Sequence, residues 1–324
     1  MDARAFWITG PGTGDIRDVA LADPGADDVV VRTLFTGISR GTERLVSTGR
    51  VPESQREVMR APFQDGDFPW PVKYGYLNVG LVESGPARLV DRAVFSLYPH
   101  QTRYVVPATA VTPLPDGLPP ERAVLAGTME TAINALWDAA PLIGDDVAVV
   151  GAGMVGCCVA RLLSRMPGVR VTLVDTDTSR REVAEALDAE FATPGTARGA
   201  RDLVVHTSAT SAGLQTSLAL LAPDAEVIEL SWYGDTEVTL ALGGSFHSSR
   251  LAVRASQVGA IARSRRDRRT TGQRLELALN LLRDPALDVL LTGRSDFDDL
   301  PSVLPQVVDG RIPALCHVIS YGEG

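Results

Sequence analysis

Asp146-Val-Ala-Val-Val150 runs straight into Gly151-Ala-Gly153-Met-Val-Gly156, and an apolar segment of helical character follows to Arg165. A short buried strand, a glycine turn and a helix are the expected order. Each glycine has its own task. Gly151 permits the tight turn, Gly153 lets the backbone approach a pyrophosphate, and Gly156 allows close helix–strand packing. The helix start at Met154 and Val155 then offers free N–H groups and a positive dipole end to phosphate. A second strand, Val171-Thr-Leu-Val-Asp175, ends on an acid 19 residues beyond Gly156. Such an acid suits ribose hydroxyls and repels a 2′-phosphate, so NAD is the expected cofactor. Arg180 and Arg181 keep NADP possible.

Outward from this motif, further strands are expected at 202–206, 226–230 and 251–255, with helices at 180–187, 214–221 and 273–282. Alternating strands and helices predict a parallel, helix-covered sheet. The first 115 residues read instead as strands and turns, and Thr112-Pro-Leu-Pro-Asp-Gly-Leu-Pro-Pro120 marks a hinge. The fold class is α/β.

Composition fits a globular chain, with 45% hydrophobic residues and a mean hydropathy of +0.06. No apolar run is long enough to span a bilayer, and no signal-peptide layout opens the sequence. Three cysteines, two of them adjacent, give no disulfide framework, so a reducing cytoplasm is expected. A net charge of −9 argues against nucleic-acid binding. The basic segment Arg263 to Arg269 reads as a solvated face, with an anion site as the alternative. Lys73 is the one lysine among 31 basic residues.

Several segments resemble the medium-chain dehydrogenase/reductase family over nearly the whole chain. Gly37-Ile-Ser-Arg-Gly-Thr-Glu43 is similar to its Gly-Ile-Cys-x-x-Asp turn, and Tyr74-Gly-Tyr-Leu-Asn-Val-Gly80 to its Pro-Gly-His-Glu-x-x-Gly. Gln101-Thr-Arg-Tyr-Val-Val-Pro107 resembles its Ala-Glu-Tyr-x-x-x-Pro strand, and 286–292 with 297–300 its closing segment. Within that family the segments resemble the branch that includes bacteriochlorophyllide a dehydrogenase. The resemblance implies a Rossmann-type doubly wound sheet, residues 129–256, inserted into a β-rich GroES-like catalytic domain, residues 1–128 plus 257–324. It also implies a small-molecule substrate and a homodimer, with neither nucleic acid nor membrane as a partner.

The zinc chemistry of that family is missing from the residues. Ser39 and Tyr76 stand where ligands would be, Leu77 replaces the glutamate, and the third ligand position falls on Gly127. The four-cysteine lobe is absent, so no metal is expected. Hydrogen-bond donors or a titratable acid must then handle the proton. The candidates are Tyr76, Ser39, Thr42, Lys73 and Glu130. Tyr76 could equally fill a pocket. Lys73 reaches it only if Gly75 bends the chain, and Glu130 could instead cap a helix or face the surface.

By the same resemblance, Arg40, Thr131, Ser208, Trp232 and Gln257 would meet the cofactor, and Tyr98 and Tyr233 the substrate. His100, His206, His247 and His317 read as structural histidines. The expected function is metal-free hydride transfer between NAD(H) and a secondary alcohol or ketone. Reduction of a conjugated C=C or C=N bond is the alternative, and a non-catalytic NAD(H)-binding regulator a further one.

Overall fold

The computed structural model describes residues 2–322. The chain forms two compact units, one built from the segments up to Gly127 and from Leu279 onward, the other from Thr128–Ala278.

The first unit opens with β1 (Asp2–Gly10), β2 (Thr13–Ala20), β3 (Asp28–Ile38) and α1 (Arg40–Ser47). It continues through β4 (Asp65–Gly66), β5 (Val72–Lys73), β6 (Asn78–Ser84), β7 (Ala93–Ser96), β8 (Arg103–Pro107), β9 (Thr112–Pro113) and α2 (Pro120–Ala123). β2, β1, β5 and β4 make a four-stranded sheet. The long strand β3 pairs antiparallel with both β6 and β8. Valines Val29, Val31, Val82 and Val94 pack with Tyr98 and Tyr104 in its core. Burying each such side chain contributes roughly 1.5–3 kcal/mol.

α3 (Ala126–Ala139) leads into the second unit: β10 (Asp146–Val150), α4 (Met154–Ser164), β11 (Arg170–Val174), α5 (Arg180–Ala186), β12 (Glu190–Ala192) and β13 (Arg201–His206). Then follow α6 (Ser211–Leu220), β14 (Leu221–Glu229), α7 (Ser245–Ser248), β15 (Ala252–Ala255) and α8 (Thr271–Leu281). All six strands are parallel, in the order β12-β11-β10-β13-β14-β15. The order reverses direction between β10 and β13, the switch point where doubly wound sheets bind ligands. Strands buried on both faces need unbroken apolar runs, and Val147, Ala148, Val149, Leu173, Val204, Val205, Val227 and Ile228 are fully buried. α6 starts three residues before the expected Leu214 because Thr210 caps it, its Oγ1 accepting the Gly213 N–H at 3.0 Å.

The return to the first unit is β16 (Leu291–Asp296), α9 (Leu300–Val308) and β17 (Cys316–Ser320). β17 lies antiparallel to β3 and parallel to β16. This return begins at Leu279 and not at the expected 257. The intervening segment is fastened to α3: Asn134 Oδ1 accepts the Ala262 N–H at 3.1 Å, and Ser264 Oγ donates to the Trp137 carbonyl at 2.8 Å. Arg263 to Arg269 are exposed and outside regular structure. Among the described residues, no helix is long and apolar enough to cross a membrane.

Candidate functional site

In the second unit the glycine loop has the geometry its sequence requires. Gly151 sits at φ +111°, where a Cβ would meet Thr207 Oγ1 at 2.6 Å. A Cβ on Gly156 would lie 1.9 Å from the Gly151 carbonyl oxygen. No side chain larger than hydrogen fits at either position. Around Gly153 the space is open, with nothing within 4 Å of a built Cβ. Gly153 is the N-cap of α4 and supplies no side-chain cap. The first N–H groups of that helix, at Met154, Val155 and Gly156, therefore lack intrahelical acceptors and suit a phosphate. Thr207, which sequence reasoning passed over, locks the turn by donating to the Gly151 carbonyl at 2.9 Å.

Asp175 closes the other side, its Oδ2 accepting the Ala152 N–H at 2.6 Å and its Oδ1 the Asp177 N–H at 2.9 Å. Arg180 is paired with Asp177 at 3.2 Å, and the Arg181 guanidinium lies over the Phe191 ring at 4.9 Å. Both arginines are thus engaged elsewhere in the unit.

Past the ends of β13 and β14 a polar cluster forms. His206 meets Glu229 Oε2 through Nδ1 and Ser208 Oγ through Nε2, both at 2.7 Å. Tyr233 donates to the same Oε2 at 2.9 Å, and the Ser231 N–H to Oε1 at 2.7 Å. Burial pushes the Glu229 carboxyl up, but His206 and Ser231 outweigh it and hold it below the usual carboxylate range. A Cβ on Gly213 would lie 2.0 Å from Ser208 Oγ, so α6 covers that hydroxyl. The Tyr233 hydroxyl, expected to face a substrate, is committed to Glu229. Trp232 is half-buried and Gln257 exposed, with Gln257 Oε1 accepting the Gly259 N–H at 2.7 Å. Thr131 is partly exposed on α3. His247 is on the short helix α7.

In the first unit the three positions at which relatives would hold zinc come together. Tyr76 donates to Ser39 Oγ at 2.5 Å. A Cβ on Gly127 would lie 3.7 Å from Tyr76 Cδ2 and 2.7 Å from Leu77 Cδ2. Two hydroxyls and a glycine do not fit the nitrogen, sulfur and carboxylate donors that zinc takes. Among the described residues, no three His, Cys, Asp or Glu side chains cluster as a metal site. Burial pushes the Tyr76 phenol up, the Ser39 and Thr42 hydroxyls pull it down, and nearby Glu43 adds to the rise.

Glu43 itself was missed. Only 1% exposed, it accepts the Ser39 N–H through Oε1 at 2.7 Å and faces His100 Nε2 through Oε2 at 3.2 Å. The available signal was its spacing, four residues after the N-cap Ser39, one longer than a capping box. Arg40 opens α1, with its Nη2 2.8 Å from a Cβ built on Gly310.

Three expectations need correction. Gly75 does bend the chain, at φ +124°, yet Lys73 does not turn toward Tyr76. Its Nζ donates to Gln101 Oε1 at 3.0 Å, lies 3.7 Å from Asp65 and sits over the Tyr98 ring. Tyr98, expected at the substrate, is buried in the strand core, stacked on Tyr104 at 3.8 Å. Its partly exposed neighbour Leu97 comes within 3.9 Å of a Cβ built on Gly127. Glu130 neither caps nor faces the surface. It is buried in an ion pair with Arg274, whose Nε donates to it at 2.9 Å while Nη1 donates to Asn134 Oδ1 at 2.6 Å. A carboxylate so paired is a scaffold element.

Residues 149–179 match the model of an NAD(P)-binding Rossmann-like domain. The chain is 26% identical over 271 residues to the 2-desacetyl-2-hydroxyethyl bacteriochlorophyllide A dehydrogenase of Cereibacter sphaeroides, covering 79% of this chain and 82% of that one. Among solved structures it is similar to L-idonate 5-dehydrogenase of Escherichia coli, with TM-score 0.80, 14% identity and 99% and 98% of the two chains covered. It is likewise similar to a protein described as a zinc-binding dehydrogenase of Sinorhizobium meliloti bound to NADP, with TM-score 0.77, 17% identity and 99% of each chain covered. The chain thus shares its fold with these dehydrogenases over nearly its whole length, and an NAD(P)-binding Rossmann-like segment lies at residues 149–179.

Proposed function

We propose that the protein is an NAD(P)(H)-dependent oxidoreductase that moves a hydride between the nicotinamide and an alcohol or ketone without a metal ion. The carrying observation is the Tyr76–Ser39 hydroxyl couple at the positions where zinc-dependent relatives keep ligands. The bound nicotinamide supplies or accepts the hydride. Tyr76 and Ser39 handle the oxygen of the substrate, stabilising developing negative charge by hydrogen bonding and passing one proton. A phenol held above its ordinary value by burial stays neutral and offers its O–H as a hydrogen-bond donor to the substrate oxygen. Thr42 acts as an auxiliary hydroxyl. Asp175 and the engagement of Arg180 and Arg181 favour NAD over NADP, and Arg40 serves the pyrophosphate. The enzyme is read as a cytoplasmic homodimer.

A phenol donor also fits reduction of a conjugated C=C or C=N bond, where it would hydrogen-bond the oxygen or nitrogen while carbon receives the hydride. The experiment is a panel of secondary alcohols with NAD and NADP, and of ketones and enones with NADH, followed by nicotinamide absorbance. Turnover that persists after exhaustive chelation, with no zinc by elemental analysis, supports the reading. Activity that requires added zinc overturns it. Cofactor binding with no turnover across the panel favours the regulator.

A further inference from the structure

Beneath the Ser39–Tyr76 couple lies a buried pair to which the proposed reaction gives no task. Glu43 and His100 are each 1% exposed. Burying a carboxylate and an imidazole is costly unless they are paired, and packing alone would be better served by apolar side chains. Their connections show a more specific design.

The Glu43 carboxylate spans two chain segments. Its Oε1 holds the Ser39 N–H at the start of α1, and its Oε2 faces His100 Nε2. The other ring nitrogen of His100 meets Thr36 Oγ1 at 2.6 Å, and Thr36 Oγ1 meets the Tyr321 hydroxyl at 3.2 Å. His100 in turn lies flat against the turn that carries Tyr76. A Cβ on Gly75 would reach its Cδ2 at 2.9 Å, and the His100 N–H reaches the Tyr74 carbonyl at 3.4 Å. One carboxylate thereby grips the segment bearing Ser39 and, through one imidazole, the segment bearing Tyr76.

The titratable groups around this pair come from every neighbouring element. Tyr74 meets Tyr76 edge-on at 6.1 Å. Glu43 acts on Tyr74, Tyr76, Cys316 and Tyr321, and Glu121 adds to its effect on Cys316. The tyrosines and Cys316 are held in their neutral forms by burial, and Glu43 is the group whose charge opposes a phenolate at Tyr76.

We infer that Glu43 and His100 are the positioning pair of the Ser39–Tyr76 couple, and that the Glu43 charge keeps Tyr76 a neutral hydrogen-bond donor. The inference rests on the proposed reaction and extends it, because a neutral phenol held in place can hydrogen-bond the substrate oxygen.

The test needs no substrate. Tyrosinate absorbance is titrated in the intact protein and in its Tyr76→Phe counterpart, and the difference isolates one phenol. Glu43→Gln keeps the shape and both hydrogen bonds but removes the charge. Its Tyr76 midpoint should fall by about one pH unit, the size of a nearby charge effect. Glu43→Asp keeps the charge and shortens the reach. Its midpoint should stay high, while kcat for ketone reduction falls by about tenfold or more, as misplacement predicts. An unchanged midpoint in Glu43→Gln, with native near-ultraviolet circular dichroism, overturns the inference. So does failure of both variants to fold, which would make the pair scaffold alone. If the wild type turns over nothing in the substrate panel, the oxidoreductase reading falls, and the titration still decides the pair.

Discussion

The Ala152 N–H points at Asp175 Oδ2 across 2.6 Å, tying the glycine loop after one strand to the acid at the end of the next. The carboxylate therefore anchors the loop, and in the proposed function it also presents negative charge to the cofactor ribose. Asp175→Ser should weaken NAD binding by about tenfold, one charge-assisted hydrogen bond being worth about 1.5–3 kcal/mol. NADP binding should weaken less or improve, since a repulsion is removed. Tryptophan fluorescence titrations of both cofactors check this, and equal losses for both would assign Asp175 to loop anchoring alone.

Removing the phenolic oxygen separates chemistry from binding. Tyr76→Phe should lower kcat by roughly 10²–10⁴-fold, the usual contribution of a positioned acid. Its affinity for the reduced cofactor should match that of wild type. Ser39→Ala should show a smaller loss in the same direction. Unchanged kcat in Tyr76→Phe would make Tyr76 a pocket-filling aromatic.

Arg274 and Glu130 are 2% and 5% exposed, so neither can be stranded without cost. Arg274→Leu should destabilise the protein by about 3–5 kcal/mol, because it leaves a carboxylate buried without its partner. Arg274→Leu with Glu130→Leu should recover part of that. Urea denaturation measures both.

Glu229 makes acid stability testable. Its carboxyl is held below the usual range in the folded protein by His206 and Ser231, against the rise that burial alone would cause. A depressed folded value contributes stability that is complete above the unfolded carboxylate value and lost as pH falls through the folded one. Glu229→Gln should remove that part of the acid dependence. Thermal melts of both proteins from neutral to strongly acidic pH would show the two curves converging at the acid end.

β15 ends the parallel sheet with all four residues exposed, Val253 among them at 40%. Open edges of this kind invite pairing with another chain. Sedimentation should find a homodimer in the wild type and a monomer after Val253→Lys. A monomeric wild type would leave this edge to some other protection.

Much of the second unit was legible because parallel strands buried on both faces must be continuous apolar runs, and Asp146–Val150 has no other reading. The glycines spoke equally clearly, since steric exclusion at 151 and 156 leaves a single residue type. The first unit was harder. Tyr98, expected at the substrate, lies in the core, and nothing in Ser96-Leu-Tyr-Pro99 reveals which side chain faces that way. Glu43 was missed, and the ion pair of Glu130 unforeseen, for a common reason. A buried acid is recognisable only through its partner, and His100 and Arg274 lie 57 and 144 residues away in the chain.

Lys73 has one more consequence. It is the only lysine in the sequence, and in the folded chain it is 5% exposed. The surface therefore offers essentially no ε-amine to acylating reagents or to enzymes that conjugate tags to lysine. Such chemistry reaches this side chain only when the first unit opens, so acylation of Lys73 serves as a built-in clock for local unfolding.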